Sequence, residues 1–590
     1  MLKHYRRINV SAGSILLNLI FVSFALAQTP IPNTYPITWA FNVPIAMRDG
    51  VQLSSDIIRP DSTERFPTFL LRTPYNKGDE IPRAQIVYWA QHGYVVVVQD
   101  VRGRHDSAGV WEPFFHESDD GYDTQQWVAK QNWSNGEVVS WGESYVAMQQ
   151  WLAAIRHNPN LKGMVSIVSP FDIYENLAYP GGAFQEAVQI WWSTYVDGHV
   201  VQPQEADFVP WSKVFEHLPV TDALRLTGRN PQFYGEWLAH PNYDSYWRRL
   251  RWQESYEKFD FPVLNIGGWF DIFQRGAIEN FQRLRARGPE RVRDLQRLII
   301  GPWSHSVGQM QVGDVSFGPE AKLNVSEITL RWADHFIKGI DNGFEKESPV
   351  KVFTMGENVW HGYRDWPIPG TQYVKYFLRS AGRANTLLGD GALSTSLPPA
   401  DEKSDHYAYD PADPVPTAGG GNCCVTRVTP WGPMDQRAVE RRDDVLVYTT
   451  PALETDLRVT GPIEVKLWVA STARDTDFTV KLVDVYPNGF AMNLTDGIVR
   501  APYRDSFEKP ELIEPGRLYE VTIQAGNTSN LFTKGHKIRV EIASSNFPRY
   551  SRNTNTGRQP ETDLAGEVAR QTIFHNSEHS SYMALPVLPE

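Results

Sequence analysis

The sequence predicts an α/β chain that carries a helical insertion and ends in an all-β region. Three observations carry this prediction. From about Tyr35 to Ser169, continuous apolar runs such as Tyr94-Val95-Val96-Val97-Val98 alternate with helical patterns, as expected for strands buried on both faces of a parallel sheet. Between Pro170 and about Asp260 the strand signal stops, while Trp191, Trp192, Trp211, Trp237, Trp247 and Trp252 accumulate. After Trp366-Pro367-Ile368-Pro369-Gly370 the texture becomes period 2, with Ile463, Val465, Leu467 and Val469 alternating with Glu464, Lys466 and Trp468. That alternation predicts antiparallel strands with one wet face, and a β-sandwich or jelly roll.

The N-terminus reads as an address. Lys3, Arg6 and Arg7 precede an apolar stretch from Ile15 to Phe24, and Ala25-Leu26-Ala27 forms a small-x-small cleavage site. The apolar run is too short to span a bilayer, so residues 1–27 are predicted to be a signal peptide, and the mature protein is expected to be exported, periplasmic or secreted. The remaining boundaries are 28–170 for the first part of the α/β domain, 171–260 for the helical cap, 261–366 for its second part and 367–590 for the β domain.

In chain order, Phe69-Leu70-Leu71, Tyr94 to Val98 and Met164 to Val168 read as strands, and Asp123 to Gln131 and Tyr145 to Arg156 as helices. The α/β pattern resumes with Pro262 to Ile266 and Leu298 to Ile300. An amphipathic helix follows from Ser326 to Lys338, with Gly339 where a C′ cap stands. Asp410 to Gly421, rich in Pro and Gly, reads as a long ordered loop, and Ile538, Val540 and Ile542 alternate with Arg539 and Glu541 as a further half-wet strand.

Composition excludes several functions. Lys plus Arg total 57 against 69 Asp plus Glu, a net charge of −12, and no basic run occurs beyond the N-terminus, so no nucleic-acid partner is expected. The two cysteines, Cys423 and Cys424, exclude a disulfide scaffold and a thiolate zinc site. Being adjacent, they are open to two readings, a strained vicinal bridge or two buried thiols.

The sharpest local signal is Val138-Val139-Ser140-Trp141-Gly142-Glu143-Ser144-Tyr145-Val146-Ala147. An apolar strand enters a Gly-x-Ser turn and a helix begins at once. Such a turn exposes a serine Oγ above a sheet and aims the next backbone N–H, here that of Tyr145, at a developing oxyanion. The bland alternative is a strand-to-helix turn with Ser144 near an N-cap. Partners for a nucleophile are expected downstream at strand ends, acid before histidine. Gly267-Gly268-Trp269-Phe270-Asp271 and Gly301-Pro302-Trp303-Ser304-His305 each follow a strand and each deliver one such side chain. Asp100, Asp106 and Asp123 precede Ser144, the wrong order, and read instead as loop-holding residues.

With these blocks in view, the chain resembles the cocaine-esterase/X-Pro dipeptidyl-peptidase group of serine hydrolases, the CocE/NonD family. The resemblance covers nearly all of the mature chain. It also rests on Met47-Arg48-Asp49-Gly50, Arg72-Thr73-Pro74-Tyr75-Asn76-Lys77, Asp100-Val101-Arg102-Gly103, Asp475-Thr476-Asp477-Phe478 and Ser545-Asn546-Phe547-Pro548-Arg549. The family elbow is Gly-x-Ser-Tyr-x-Gly, and Ala147 stands where the last Gly is usual. The resemblance implies an α/β-hydrolase domain with an inserted helical cap and a C-terminal jelly roll. It implies Ser144 as nucleophile, His305 as base, Asp271 as its orienting acid and the Tyr75 hydroxyl as a second oxyanion donor beside the Tyr145 N–H.

The expected function is that of an exported serine hydrolase cleaving ester, and in some members amide, bonds of small acyl substrates. No metal or organic cofactor is required, and no membrane contact is expected after signal cleavage. Alternatives are an acylase such as a glutaryl-cephalosporin acylase, an X-Pro dipeptidyl-peptidase and, from another class, a silent polymer-binding protein. The short distance from the signal to the first strand argues against the peptidase. Ile272 and Phe273, where α-amino-acid ester hydrolases carry ammonium-binding carboxylates, argue against that activity too.

Overall fold

The apolar runs of the first part of the chain become strands of one ten-stranded sheet in a computed structural model that describes residues 34–79, 81–202, 208–425 and 428–589. The signal-peptide expectation, residues 1–27, lies outside the described residues. The strands are β1 (Ile37–Ala46), β2 (Gln52–Pro60), β3 (Phe66–Thr73), β4 (Val95–Asp100) and β5 (Ser134–Glu143). They continue with β6 (Leu161–Ile167), β7 (Val263–Gly268), β8 (Arg297–Gly301), β9 (Val350–Thr354) and β10 (Val359–Tyr363). Their order is β1-β2-β4-β3-β5-β6-β7-β8-β9-β10. Pairing is parallel from β4 through β9 and antiparallel at β1, β2 and β10. Every residue of β3, β4, β7 and β8 is buried, which is why these strands read as unbroken apolar runs.

Helices cover both faces. Val96 and Val98 face a core that includes Trp89 of α1 (Arg83–Gln91), while Val95 and Val97 pack with Val128 of α2 (Glu117–Ala129) on the other side. α3 (Tyr145–Ala154) follows β5 directly. Between β6 and β7 the described residues contain no strand, and α4 (Glu186–Val196) with several shorter helices builds an aromatic core shared with Met148 and Trp151 of α3. α5 (Gln274–Arg287) follows β7, and α6 (Val325–Phe336), capped by Asn324, lies beside α1 with the Trp89 Nε1 donating to the Ser326 carbonyl at 3.1 Å. Gly339 adopts φ 68°, the left-handed C′ conformation its position predicted.

The rest is a β-rich domain whose eleven strands, from Gln372–Arg379 to Tyr582–Val587, form one hydrogen-bonded network. Its longest pair is Leu457–Ser471 with Tyr519–Phe532, antiparallel. One expectation is corrected here: Lys537–Ala543 has no wet face, since Arg539 and Glu541 are both buried. Ion pairs make that possible, with Arg539 bonding Glu440 at 2.6 Å and Lys481 lying 3.5 Å from Glu541. The sequence pattern shows that two charges alternate with isoleucine and valine but not that each meets an opposite charge.

The two domains share a core. Trp269, Phe270 and Phe281 pack in one apolar cluster with Ile523, Val521 and other residues of the β-rich domain. Backbone joins them too: the Met355 N–H donates to the Ser529 carbonyl at 2.9 Å, and the Leu531 N–H to the Met355 carbonyl at 2.8 Å. Gln274 of α5 accepts from the Asn527 N–H at 2.8 Å. A chain ending at Trp366 would expose that cluster and leave these polar groups unpaired, so it is expected to be insoluble or inactive. Gel filtration and turnover of the shortened chain check this; a soluble, fully active product would show the domains to be independent.

Candidate active site

Ser144 stands at the C-terminal end of β5, where β4, β3 and β5 leave the sheet order reversed, the usual place for a site in an open α/β sheet. Its backbone is at φ 54°, ψ −123°, outside the regions favoured by residues with a Cβ, at a cost of about 1–3 kcal/mol. The turn is held because the Ser144 N–H donates to the Ile167 carbonyl of β6 at 3.0 Å, while the Ser144 carbonyl accepts from the Ala147 and Met148 N–H groups at 2.9 and 3.0 Å. Ser144 takes the N-cap position of α3, but its side chain makes no capping hydrogen bond. The turn also needs Gly142, where a Cβ would meet the Val146 carbonyl carbon at 2.7 Å.

Asp271 and His305 come from the loops after β7 and β8, which are stitched to each other. The Trp269 N–H donates to the Gly301 carbonyl and the Phe270 N–H to the Trp303 carbonyl, both at 2.9 Å. A Cβ on Gly268 would meet the Trp303 carbonyl carbon at 2.7 Å, so the glycine-rich strand end permits the close approach. The outcome is a 2.7 Å contact between Asp271 Oδ1 and His305 Nδ1, with the carboxylate fully buried and the imidazole partly exposed. That contact places the proton on Nδ1 and leaves Nε2 as an acceptor. Phe273 packs edge-on to the His305 ring at 5.5 Å.

Ser144, His305, Tyr75 and Tyr145 line one cavity of about 280 Å³, together with Trp191 and Trp192 of the cap. Asp271 sits behind His305. Tyr145 is the first residue of α3, so its N–H has no intrahelical acceptor. Its hydroxyl points elsewhere: it donates to Glu117 Oε1 at 2.8 Å and accepts from the Phe114 N–H at 3.1 Å. Burial, reinforced by the Glu117 charge, holds that phenol well above its ordinary pKa. Tyr75 is carried by the loop after β3. Trp192 Nε1 donates to the Tyr75 oxygen at 2.9 Å, and Arg104 Nε donates to the Pro74 carbonyl at 2.9 Å. Asp100 accepts from the Lys77 N–H at 2.7 Å and from its Nζ at 3.1 Å, holding the far side of the same loop.

Sequence reasoning missed four residues of this wall. Trp192 was one tryptophan among six in the insertion, and nothing local marks the one that reaches Tyr75. Cys423 and Cys424, joined as a vicinal disulfide, reach the cavity from the β-rich domain. Glu143 lines it as well, the unspecified middle residue of Gly-x-Ser.

Comparison with known proteins agrees with this architecture. Residues 49–307 match the X-Pro dipeptidyl-peptidase (S15) family, and residues 342–584 match the X-Pro dipeptidyl-peptidase C-terminal non-catalytic domain. A cocaine esterase from Rhodococcus sp. (strain MB1 Bresler) is 36% identical over 575 residues, covering 93% of this chain and 98% of that protein. Among solved structures, an aminopeptidase from a marine-sediment Thaumarchaeota archaeon superposes with a TM-score of 0.80 at 25% identity, covering 96% of this chain and 99% of that one. An alpha-amino acid ester hydrolase superposes with the same TM-score of 0.80 at 23% identity, covering 96% and 100%, and supports the fold.

The turn geometry makes a stability prediction. Gly142→Ala forces Val146 away from the elbow, an overpacking that costs about 1–3 kcal/mol. The variant is expected to melt at a lower temperature than the unaltered protein, measured by circular dichroism; an unchanged melt would mean that the turn has slack the geometry does not show.

Proposed function

The chain belongs to the X-Pro dipeptidyl-peptidase (S15) family of serine hydrolases, and on that premise we propose that it is an exported esterase working through an acyl-enzyme on Ser144. The observation that carries the reading is the His305 Nδ1 to Asp271 Oδ1 contact at 2.7 Å behind a cavity that Ser144 and His305 share. Asp271 fixes the tautomer, so the His305 Nε2 takes the Ser144 proton as Oγ attacks the ester carbonyl. The oxyanion forms against the Tyr145 N–H and the Tyr75 hydroxyl, the latter polarised by the N–H that Trp192 donates to its oxygen. His305 then protonates the leaving alcohol, and water repeats the sequence to release the acid. The 36% identity to a cocaine esterase supports esters over amides as the substrate class. The aromatic wall supports apolar or aromatic groups on them. Export rests on the signal-peptide pattern of residues 1–27.

Ser144→Ala and His305→Ala are each expected to remove ester turnover while leaving the melting transition in place, since members of such a unit fail together. Hydrolysis of an activated aryl ester is the assay, and wild-type turnover in Ser144→Ala would overturn the assignment. Tyr75→Phe removes one oxyanion donor and keeps the ring. It should lower kcat by about 10²–10³, or about 2.7–4 kcal/mol, with little change in KM. A kcat within about threefold of wild type, far short of that range, would leave the Tyr145 N–H as the sole donor.

A further inference from the structure

Cys423 and Cys424 are the chain's two cysteines, and the bridge between them forms part of the wall of the catalytic cavity. Cys423 is buried in the aromatic cluster that holds Tyr145 and Phe273, and Cys424 packs against the same cluster. The peptide between them lies in a tight turn. Cys424 is at φ 78°, and the Val425 N–H donates back across it to the Cys423 carbonyl at 2.9 Å, a γ-turn of the strained hand. Both flanks of the pair are tied down. On one side the Asn422 side chain donates to the Gly419 and Pro430 carbonyls, each at 2.8 Å. A Cβ on Gly421 would meet the Asp271 carbonyl oxygen at 2.9 Å, so the loop runs hard against the one that carries the acid. On the other side the Val425 carbonyl accepts from the Thr429 N–H at 2.8 Å. The base of the loop is thus fixed, and its tip is the two sulfurs.

A residue with a Cβ leaves positive φ unless its surroundings hold it there. At Cys424 the ring closed through the two sulfurs and the intervening peptide is such a hold. It ties both side chains to one arrangement, whereas two thiols turn independently about χ1. Reduction replaces a polarisable sulfur face by two S–H groups, each a weak donor, and frees the tip while the base stays tied. The contact surface changes; the frame under Asp271 does not. With no other thiol in the chain, the pair has itself alone to reclose on. We infer that the Cys423–Cys424 pair sets the substrate preference of the cavity through its redox state. Bridged, it gives aromatic ester groups a fixed wall to pack on; as two thiols, it loosens that wall and weakens the preference. Closure takes two protons and two electrons from the thiols and passes them to a disulfide oxidant, which leaves as its dithiol, and a dithiol reductant runs the exchange backwards. The inference rests on the esterase reading of the same site.

The test is the ratio of kcat/KM on 4-nitrophenyl benzoate, with a ring on each side of the ester, to that on ethyl acetate, with none, both followed by acid release in a pH-stat. The purified protein is assayed as it stands and after a water-soluble phosphine, which becomes its oxide with oxygen from water as the bridge opens to two thiols. The mass after alkylation counts those thiols. Reduction is expected to lower the ratio by about fivefold or more, chiefly through a higher KM for the benzoate, and oxidised glutathione to restore it. Cys423→Ser/Cys424→Ser is expected to show the lowered ratio and to ignore the phosphine. A ratio equal in the bridged and dithiol forms overturns the inference while the esterase reading stands, and so do two alkylatable cysteines in the unreduced protein. If the phosphine does not reach the bridge, the double variant decides, and a wild-type ratio in it overturns the inference. If the variant does not fold, the cycle of reduction and reoxidation on wild type decides. Hydrolysis of neither ester by the bridged protein would instead overturn the esterase reading and the inference with it.

Discussion

Arg104 is fully buried, and the acceptors that hold it are carbonyl groups from two separate parts of the chain. Its Nε donates to the Pro74 carbonyl at 2.9 Å, and its Nη1 donates to the Val196 carbonyl at 2.7 Å and to that of Gly198. The guanidinium also lies 4.6 Å from the Trp111 ring. Burial lowers its pKa to about 10, which still leaves it charged at neutral pH. A desolvated charge of this kind is tolerated only where dipoles converge on it. Here the dipoles belong to the loop that carries Tyr75 and to the C-terminal end of α4, the helix that carries Trp192. The hydrogen bond between Tyr75 and Trp192 therefore joins two elements that Arg104 also holds together, and the Tyr75 side of the cavity depends on that one side chain being in place.

The opposite side depends on backbone. The loops after β7 and β8 are joined by hydrogen bonds before they reach Asp271 and His305, so these two side chains meet on a frame set by parallel strand neighbours. The β-rich domain completes the frame. Its residues pack against Trp269 and Phe270, immediately before Asp271, and the loop bearing Cys423 and Cys424 reaches the cavity wall. Hydrolase sheet, cap and β-rich domain thus each own part of one cavity. The cap and the β-rich domain also touch directly, as where the Ala187 N–H donates to the Pro548 carbonyl at 3.0 Å.

What the sequence discloses follows how local each cause is. Strands buried on both faces announce themselves as unbroken apolar runs, and the elbow is readable because glycine, serine and the following helix are contiguous. Asp271 and His305 are legible because each lies a short turn past a strand end, and chain order separates them from Asp100, Asp106 and Asp123. The site features that stayed hidden are pairings across long separations. Trp192 and Tyr75 are distant in sequence, and the hydrogen bond between them is a property of the folded cap. Of the two readings open for the adjacent Cys423 and Cys424, the structure has the bridge. Arg539 and Glu541 mimic a solvent-facing alternation because their partners, Glu440 and Lys481, lie on other segments of the β-rich domain.

The positive φ of Ser144 weighs on which amino acids could take the place of this proposed nucleophile. At φ 54° any side chain with a Cβ is strained, and one branched at Cβ is strained further, although Val168 at φ 44° and Thr386 at φ 65° show that the fold holds branched residues at positive φ elsewhere. Threonine carries the same hydroxyl at a higher backbone cost, and cysteine fits the space but brings different acyl chemistry. A dihedral angle thus weighs on which hydroxyl can stand at this turn before reactivity enters, and a threonine there would carry the added strain of its branch.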